Sequence, residues 1–278
     1  MDQVILQFFQ SIRTPALTVV FGAFTLLGEA VVIGAFSILL YWLLDRAGEQ
    51  IFFSMITSVP MNCMAKAAIS RPRPFIAGVV TKLDPPLSAS SLGDNLSFPS
   101  GHAQATASFY GAAALGLKRL RVWIVSVLVM VLVACSRLYF GVHYPTDVIA
   151  GLLFGILVAL FWSFIFDNCY RARHFVLCGV AIAVIIAAFF INNSDFLRAT
   201  GLIAGGAFFL PIAEALKRAP SENASRLGRL PVGIGICAVV YALTLFFPEG
   251  EGFTVLKWFL LTGAATLGAQ ILFRAFEI

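Results

Sequence analysis

Apolar runs of about 20 residues recur along the chain between short polar breaks, and that is the length a helix needs to cross a hydrocarbon core of about 30 Å. The pattern predicts spans near 27–44, 48–68, 102–117, 122–138, 147–166, 175–191, 197–216, 231–247 and 254–274, about nine in all. The first 26 residues are less regular. VILQFFQSI is patterned as an amphipathic helix lying in the interface, and LTVVFGAFTLLGE reads as a short or re-entrant element. The predicted fold is all-α: a polytopic transmembrane helical bundle forming a single membrane domain over 1–278. Within it, 1–26 is the interfacial or re-entrant segment, 27–170 the core, and 171–278 a set of additional C-terminal transmembrane helices.

Composition agrees. The chain of 278 residues is 60% hydrophobic and 12% charged, against roughly a quarter charged in soluble domains, which excludes an ordinary soluble enzyme. A net charge of +5 would suit nucleic acid only if the basic residues formed an exposed arm; they fall mostly in short loops, so no nucleic-acid partner is expected. The loops DRAGEQ (45–50), KRLR (118–121), RARH (171–174) and KRAPSENASRLGR (217–229), with Arg274, form one basic set, predicted to be cytoplasmic. The opposite set, 69–101, 139–146, 192–195 and 247–253, is then outside; the N-terminus is expected outside and the C-terminus inside. No signal-peptide cleavage pattern is apparent, so the first spans are expected to be retained. Cys63, Cys135, Cys169, Cys178 and Cys237 make no CxxC or zinc spacing and read as packing residues. GLLFG (151–155) permits close helix approach, within one chain or between two. Asn95, Asn192 and Asn223 begin N-x-S/T triplets that decide nothing.

Three polar segments interrupt the outer ends of the spans: KAAISRPRP (66–74), SFPSGH (97–102) and SRLYFGVHYPTD (136–147). Clusters at one membrane level on helices that can adjoin look like one site. Lys66 offers a compact ammonium, and Arg73 a planar fork suited to phosphate oxygens, with Arg71 a competitor for that role. The bland reading, a snorkelling anchor at a helix end, stands beside it for any single lysine. Pro99, Ser100 and Gly101 lead into a helix start whose free N–H groups favour an anion, and His102 stands at its edge, either functional or a structural cap. Arg137 supplies another guanidinium. His143 and Asp147 are four residues apart around Pro145, which fits a helix starting at Tyr144 or Pro145. A carboxylate there can accept the Nδ1–H of the imidazole and leave Nε2 as a nucleophile; an Arg137–Asp147 ion pair is the structural alternative.

Read together, K-x6-R-P, PSGH and S-R-x5-H-x3-D in this order resemble the type 2 phosphatidic acid phosphatase (PAP2) superfamily, which includes lipid phosphate phosphatases, undecaprenyl-diphosphate phosphatases, glucose-6-phosphatase and vanadium haloperoxidases. The resemblance is strong over 66–147 and implies a PAP2-type core within 27–170. It implies that His143 attacks phosphorus to give a phosphohistidine, Asp147 orients it, and His102 protonates the leaving oxygen and then activates water. Lys66, Arg73 and Arg137, with Ser100 and the Gly101 N–H, would hold the phosphate oxygens. No metal and no cofactor is expected, because these cations stand where magnesium otherwise would.

The resemblance implies a hydrolase of phosphoric monoesters or diphosphates in the cell membrane, with its site facing the extracytoplasmic side. The expected partner is a membrane lipid substrate within the bilayer, undecaprenyl diphosphate or a phosphatidate-like lipid. A soluble sugar phosphate, as for glucose-6-phosphatase, and a lipid phosphate transporter or phosphotransferase are the alternatives. Phe75, Phe98, Tyr139, Phe140 and Tyr144 read either as an acyl or prenyl access path or as an interfacial aromatic belt. Glu29 in LLGEA lies near the same face, contacting the site or capping a helix.

Overall fold

The computed structural model describes residues 2–85, 95–191, 193–216 and 226–278. The N-x-S/T positions Asn192 and Asn223, and most of the expected basic loop 217–229, lie outside them. Helices dominate the described residues; the one extended pairing is an isolated bridge between Pro72 and Leu96. The chain forms two compact units, Met1–Ser37 with Gln50–Phe164, and Ile38–Glu49 with Ile165–Ile278. The second begins a few residues before the division expected after residue 170, and it also takes residues 38–49.

The first unit holds α1 (Asp2–Ser11), α2 (Pro15–Leu26), the start of α3 (Ala30–Leu43), most of α4 (Asp45–Ile69), α5 (Gly101–Leu117), α6 (Leu120–Tyr139) and most of α7 (Pro145–Asn168). Thr14 caps α2, its Oγ1 accepting the Leu17 N–H at 3.2 Å, with Pro15 in the first turn where its missing N–H costs nothing. α2 and α3 are bent by 45° at a short break, so the expected single span over 27–44 is instead the second limb of a broken pair. The break seats tightly: a Cβ on Gly28 would stand 2.6 Å from Val133 on α6 and 2.9 Å from Thr106 on α5. The GLLFG glycines bring α7 against α5 of the same chain, a Cβ at Gly151 falling 2.6 Å from the Ser100 carbonyl oxygen and one at Gly155 2.6 Å from Ala107 Cβ.

α4 and α5 are joined by side-chain hydrogen bonds. Asn62 Nδ2 donates to Gln104 Oε1 at 2.9 Å, Gln104 Nε2 to the Ser58 carbonyl at 2.9 Å, and Ser108 Oγ contacts Ser58 Oγ at 2.7 Å. These bonds bear on the expected nine spans, which length and apolarity alone do not recover. Among the described residues, six helical stretches, α6, α7 and four of the second unit counted with their adjoining short turns, are long and apolar enough to cross a membrane, or seven if the bent α2–α3 pair counts as one. The expected spans at 48–68 and 102–117 are helices, but α4 is too polar and α5, at 17 residues, too short to pass that test. Both bury their polar residues against each other, where hydrogen bonds replace the need for an apolar surface.

The second unit contains α8 (Arg173–Ala188), α9 (Ser194–Leu216), α10 (Arg229–Thr244), α11 (Glu251–Gly263) and α12 (Ala269–Ala275), the last two continuous through a π-helical turn at Ala264–Gly268. Trp42 reaches that turn, its Nε1–H donating to the Ala265 carbonyl at 2.7 Å. Buried Arg173 donates to Glu49 Oε1 at 2.9 Å and to Glu214, and His174 Nε2 lies 2.6 Å from Glu214 Oε2. Glu49, His174 and Glu214 have metal-ligand chemistry, yet both carboxylates are already paired with Arg173. Of the five cysteines, Cys169 is exposed and the others half-buried, and none is joined to another in a disulfide.

Candidate active site

The ends of α4 and α6 and the starts of α5 and α7 meet within the first unit, and they carry every site residue expected from the sequence. Lys66 lies in the last turn of α4, which stops where Ser70 takes a left-handed conformation (φ 50°) ahead of Pro72. The segment that follows is pinned by two backbone bonds, Ser97 N–H to the Arg71 carbonyl at 2.7 Å and Arg73 N–H to the Asn95 carbonyl at 3.2 Å. Lys66 Nζ donates to the Leu96 carbonyl at 2.8 Å, so KAAISRPRP and SFPSGH are one local structure.

Ser100 caps α5, accepting from the Ala103 N–H at 3.5 Å, while its own N–H donates to the Asp147 backbone carbonyl at 3.0 Å. That bond ties the α5 start to α7. At the end of α6, Gly141 takes φ 71°, a turn conformation that disfavours side chains, and the chain reverses toward His143. Asp147, three residues into α7, reaches back so that Oδ2 accepts the Tyr144 N–H at 2.8 Å, in the manner of a capping box. Asp147 also accepts from Ser97 Oγ, and from Arg71 Nη1 at 2.8 Å.

His143 is 2% exposed and held from both sides. Nδ1 stands 2.8 Å from the Ser97 carbonyl oxygen, and Nε2 stands 3.3 Å from Arg73 Nη1. A carbonyl only accepts and a guanidinium only donates, so the proton belongs on Nδ1 and the lone pair on Nε2. The Asp147 carboxylate lies 3.8 Å from Nδ1, beyond hydrogen-bond range. The direct Asp147–Nδ1 contact expected from the four-residue spacing is thus taken by the Ser97 carbonyl, because Asp147 is occupied in capping α7 and pairing with Arg71. Burial first, and then the charges of Arg73, Arg137 and Lys66, push the His143 imidazole well below its ordinary pKa, while the Ser97 bond opposes this.

Arg137, also buried, donates through Nη1 to Thr25 Oγ1, which Ser136 Oγ also meets at 3.2 Å. Glu29, buried in the α2–α3 break, is an electrostatic neighbour of Arg137, and those of His102 are Arg137, His143, Arg73 and Lys66. His102 Nε2 and Arg137 Nε are buried with no hydrogen-bond partner among the described residues. Arg71 turns away from the phosphate role open to it: it pairs with Asp147, not Arg137 as the alternative had it, and stacks 3.8 Å over the Tyr144 ring. Ser97 and Thr25 were missed in the sequence; Ser97 acts largely through a backbone carbonyl, which no residue type announces. Of the five aromatic residues, Tyr139, Phe140 and Tyr144 are packed in the core, while Phe75 and Phe98 are half-buried.

The sequence profile of the PAP2 superfamily matches residues 47–171, which hold all eight expected site residues. The chain carries a PAP2 superfamily region. Over 125 residues it is 34% identical to a lipid A 1-phosphatase of Rhizobium johnstonii, covering 44% of this chain and 49% of that protein. Over 111 residues it is 32% identical to an undecaprenyl-diphosphatase of Sulfolobus acidocaldarius, covering 40% of this chain and 50% of that protein. Among solved structures, it is similar to a transmembrane PAP2 type phosphatidylglycerolphosphate phosphatase of Bacillus subtilis, with 28% identity, 60% of this chain and 85% of that chain covered, and a TM-score of 0.46. The matched PAP2 segments span about half the length of the first curated relatives.

Proposed function

We propose that this protein hydrolyses a lipid phosphate or diphosphate at the outer membrane face, without a metal, through a phosphohistidine on His143. One observation carries the proposal: a buried imidazole whose tautomer leaves Nε2 as a lone pair beside Arg73, with Lys66, Arg137 and His102 as electrostatic neighbours. In the first step Nε2 of His143 attacks phosphorus, a P–N bond forms, the P–O bond to the lipid breaks, and His102 gives the leaving oxygen a proton. In the second, His102 takes a proton from water, the resulting hydroxide displaces His143 as the P–N bond breaks, and inorganic phosphate leaves; for a diphosphate, the bond broken in the first step is the one between the two phosphates, and the lipid monophosphate leaves there. Lys66, Arg73, Arg137, Ser100 and the Gly101 N–H bind the non-bridging oxygens as charge builds on them. Arg73 serves twice, holding the Nε2 lone pair in the empty site and turning to a phosphate oxygen when substrate arrives. The unshared polar atoms of His102 and Arg137 suit contacts to substrate that the protein itself leaves open.

The lipid class follows from the membrane setting and from the relatives, which are named for lipid A and undecaprenyl diphosphate. The test is phosphate release by protein purified in detergent, with EDTA present, from undecaprenyl diphosphate, phosphatidate, phosphatidylglycerophosphate and glucose 6-phosphate. Hydrolysis of a lipid in preference to glucose 6-phosphate supports the proposal. Hydrolysis of glucose 6-phosphate alone points to a soluble substrate, and lipid binding without release to transport or transfer.

A further inference from the structure

Outside the phosphate-binding set, Arg71 links more of the first unit than any single partner of the site requires. Its Nη1 donates to Asp147 Oδ1 at 2.8 Å and to Thr146 Oγ1 at 2.7 Å, and its Nη2 to Asp2 Oδ2 at 3.2 Å. Thr146 Oγ1 closes the circuit by donating to the same Asp2 oxygen at 2.8 Å. Asp2 belongs to the first turn of α1, 69 residues away in sequence and on a different element from everything else in the site.

α1 is held against the site by packing as well as by charge. Leu6 is fully buried with Val80 and Tyr144, and Tyr144 is both the residue after His143 and the ring beneath the Arg71 guanidinium. Gln10 donates to Thr81 Oγ1 at 2.9 Å, and Arg13 to the Tyr139 carbonyl at 2.8 Å. The other side of α1 exposes Val4 and Phe8, as an interfacial helix does. Its inner face therefore meets the residues around the nucleophile, and its outer face suits the lipid boundary.

We propose that Arg71 is a positioning residue that couples the seating of α1 to the alignment of His143, resting on the assignment of His143 as nucleophile made above. The relay runs from Asp2 through Arg71 to Asp147, from Asp147 to the Ser97 hydroxyl, and from the Ser97 carbonyl to Nδ1 of His143. Its physical need lies in Asp147, a fully buried carboxylate beside a site that receives an anion. A buried charge needs a partner, and each cation committed to phosphate is unsuited to the task. Arg71 supplies the partner from outside the cradle, and Asp2 holds Arg71 in place when α1 is docked.

The experiment compares Arg71→Gln, Arg71→Lys, Asp2→Asn and His143→Ala in lipid vesicles, reading kcat, KM and competitive inhibition by inorganic phosphate. The expected result is a kcat about tenfold or more lower for Arg71→Gln, with phosphate inhibition within about twofold of wild type. Arg71→Lys recovers part of the loss, and Asp2→Asn, which leaves the Asp147 pair intact, loses kcat about threefold. Phosphate inhibition weakened in Arg71→Gln as much as kcat falls would make Arg71 a phosphate ligand and overturn the proposal. So would wild-type kcat in both Arg71→Gln and Asp2→Asn while His143→Ala is inactive. Turnover by His143→Ala would instead remove the nucleophile assignment beneath it. If Arg71→Gln does not fold, Arg71→Lys and Asp2→Asn decide: wild-type kcat in both overturns the relay.

Discussion

Nδ1 of His143 lies 2.8 Å from the backbone carbonyl oxygen of Ser97, a contact that fixes the imidazole without any carboxylate touching it. Asp147, 3.8 Å away, acts on the loop that carries that carbonyl. Removing Asp147's charge should therefore slow the reaction without ending it. Asp147→Asn keeps an acceptor for Ser97 and Tyr144 but leaves Arg71 unbalanced, and its kcat is expected to fall roughly 10- to 100-fold. His143→Ala should abolish turnover. Equal losses in the two variants, measured as phosphate release, would mean that Asp147 bonds the working imidazole directly.

The pH dependence follows from the environment of His143, whose imidazole is held well below the ordinary value of about 6.5 by burial and then by Arg73, Arg137 and Lys66. The neutral ring attacks, so kcat/KM should rise with pH on a limb lying below about 6.5 and be level by neutrality. In the substrate complex, kcat should fall at higher pH, where His102 loses a proton that burial and the neighbouring cations disfavour and that the negative charge of the bound phosphate must hold in place; a monotonic climb in kcat from about pH 4 to about pH 9 would contradict the paired roles.

Stability carries the same sign. Below about pH 6.5 the unfolded chain binds a proton at His143 that the folded chain refuses, so stability falls as pH falls and is full above that value. Tm should drop between about pH 7 and about pH 5, and less so in His143→Gln. An identical drop in the variant would show that another group is responsible.

Chelation should leave the rate unchanged, because in the proposed mechanism Lys66, Arg73 and Arg137 supply the positive charge that a metal otherwise brings to phosphate. Phosphate release assayed with and without EDTA checks this. Loss in EDTA that magnesium restores would require a metal in the mechanism.

In the second unit, the buried Arg173–Glu49 pair at 2.9 Å should matter to folding. Arg173→Met takes from Glu49 its guanidinium partner, leaving the Tyr170 hydroxyl and His174 beside it, and should cost up to about 3 kcal/mol. Thermal unfolding in detergent measures it; an unchanged Tm would mean that the carboxylate finds another partner.

The candidate site residues were legible in the sequence because each is a residue type whose chemistry is visible at a fixed spacing. Lys66, Arg73, Ser100, His102, Arg137 and His143 needed no structure to be singled out, and the α7 start at Pro145 followed from proline's place in a first turn. The partners of those residues were not legible. Ser97 contributes a carbonyl that every residue has, and Thr25 reaches Arg137 from a helix more than a hundred residues away. The nine expected spans are not recovered from length and apolarity among the described residues for a related reason: α4 and α5 lie among other helices and satisfy Asn62, Gln104 and Ser108 there, so those two measures do not describe them. The bend between α2 and α3 had one local sign, Gly28 followed by the buried Glu29.

The most direct test of the account is to trap the covalent intermediate. The protein is mixed with a lipid substrate labelled on phosphorus, quenched in base to preserve an acid-labile P–N bond, and digested for peptide mapping. The account predicts label on His143 in wild type, its build-up in His102→Ala, and none in His143→Ala. Phosphate release by wild type with no label on any histidine, or turnover by His143→Ala, would contradict it.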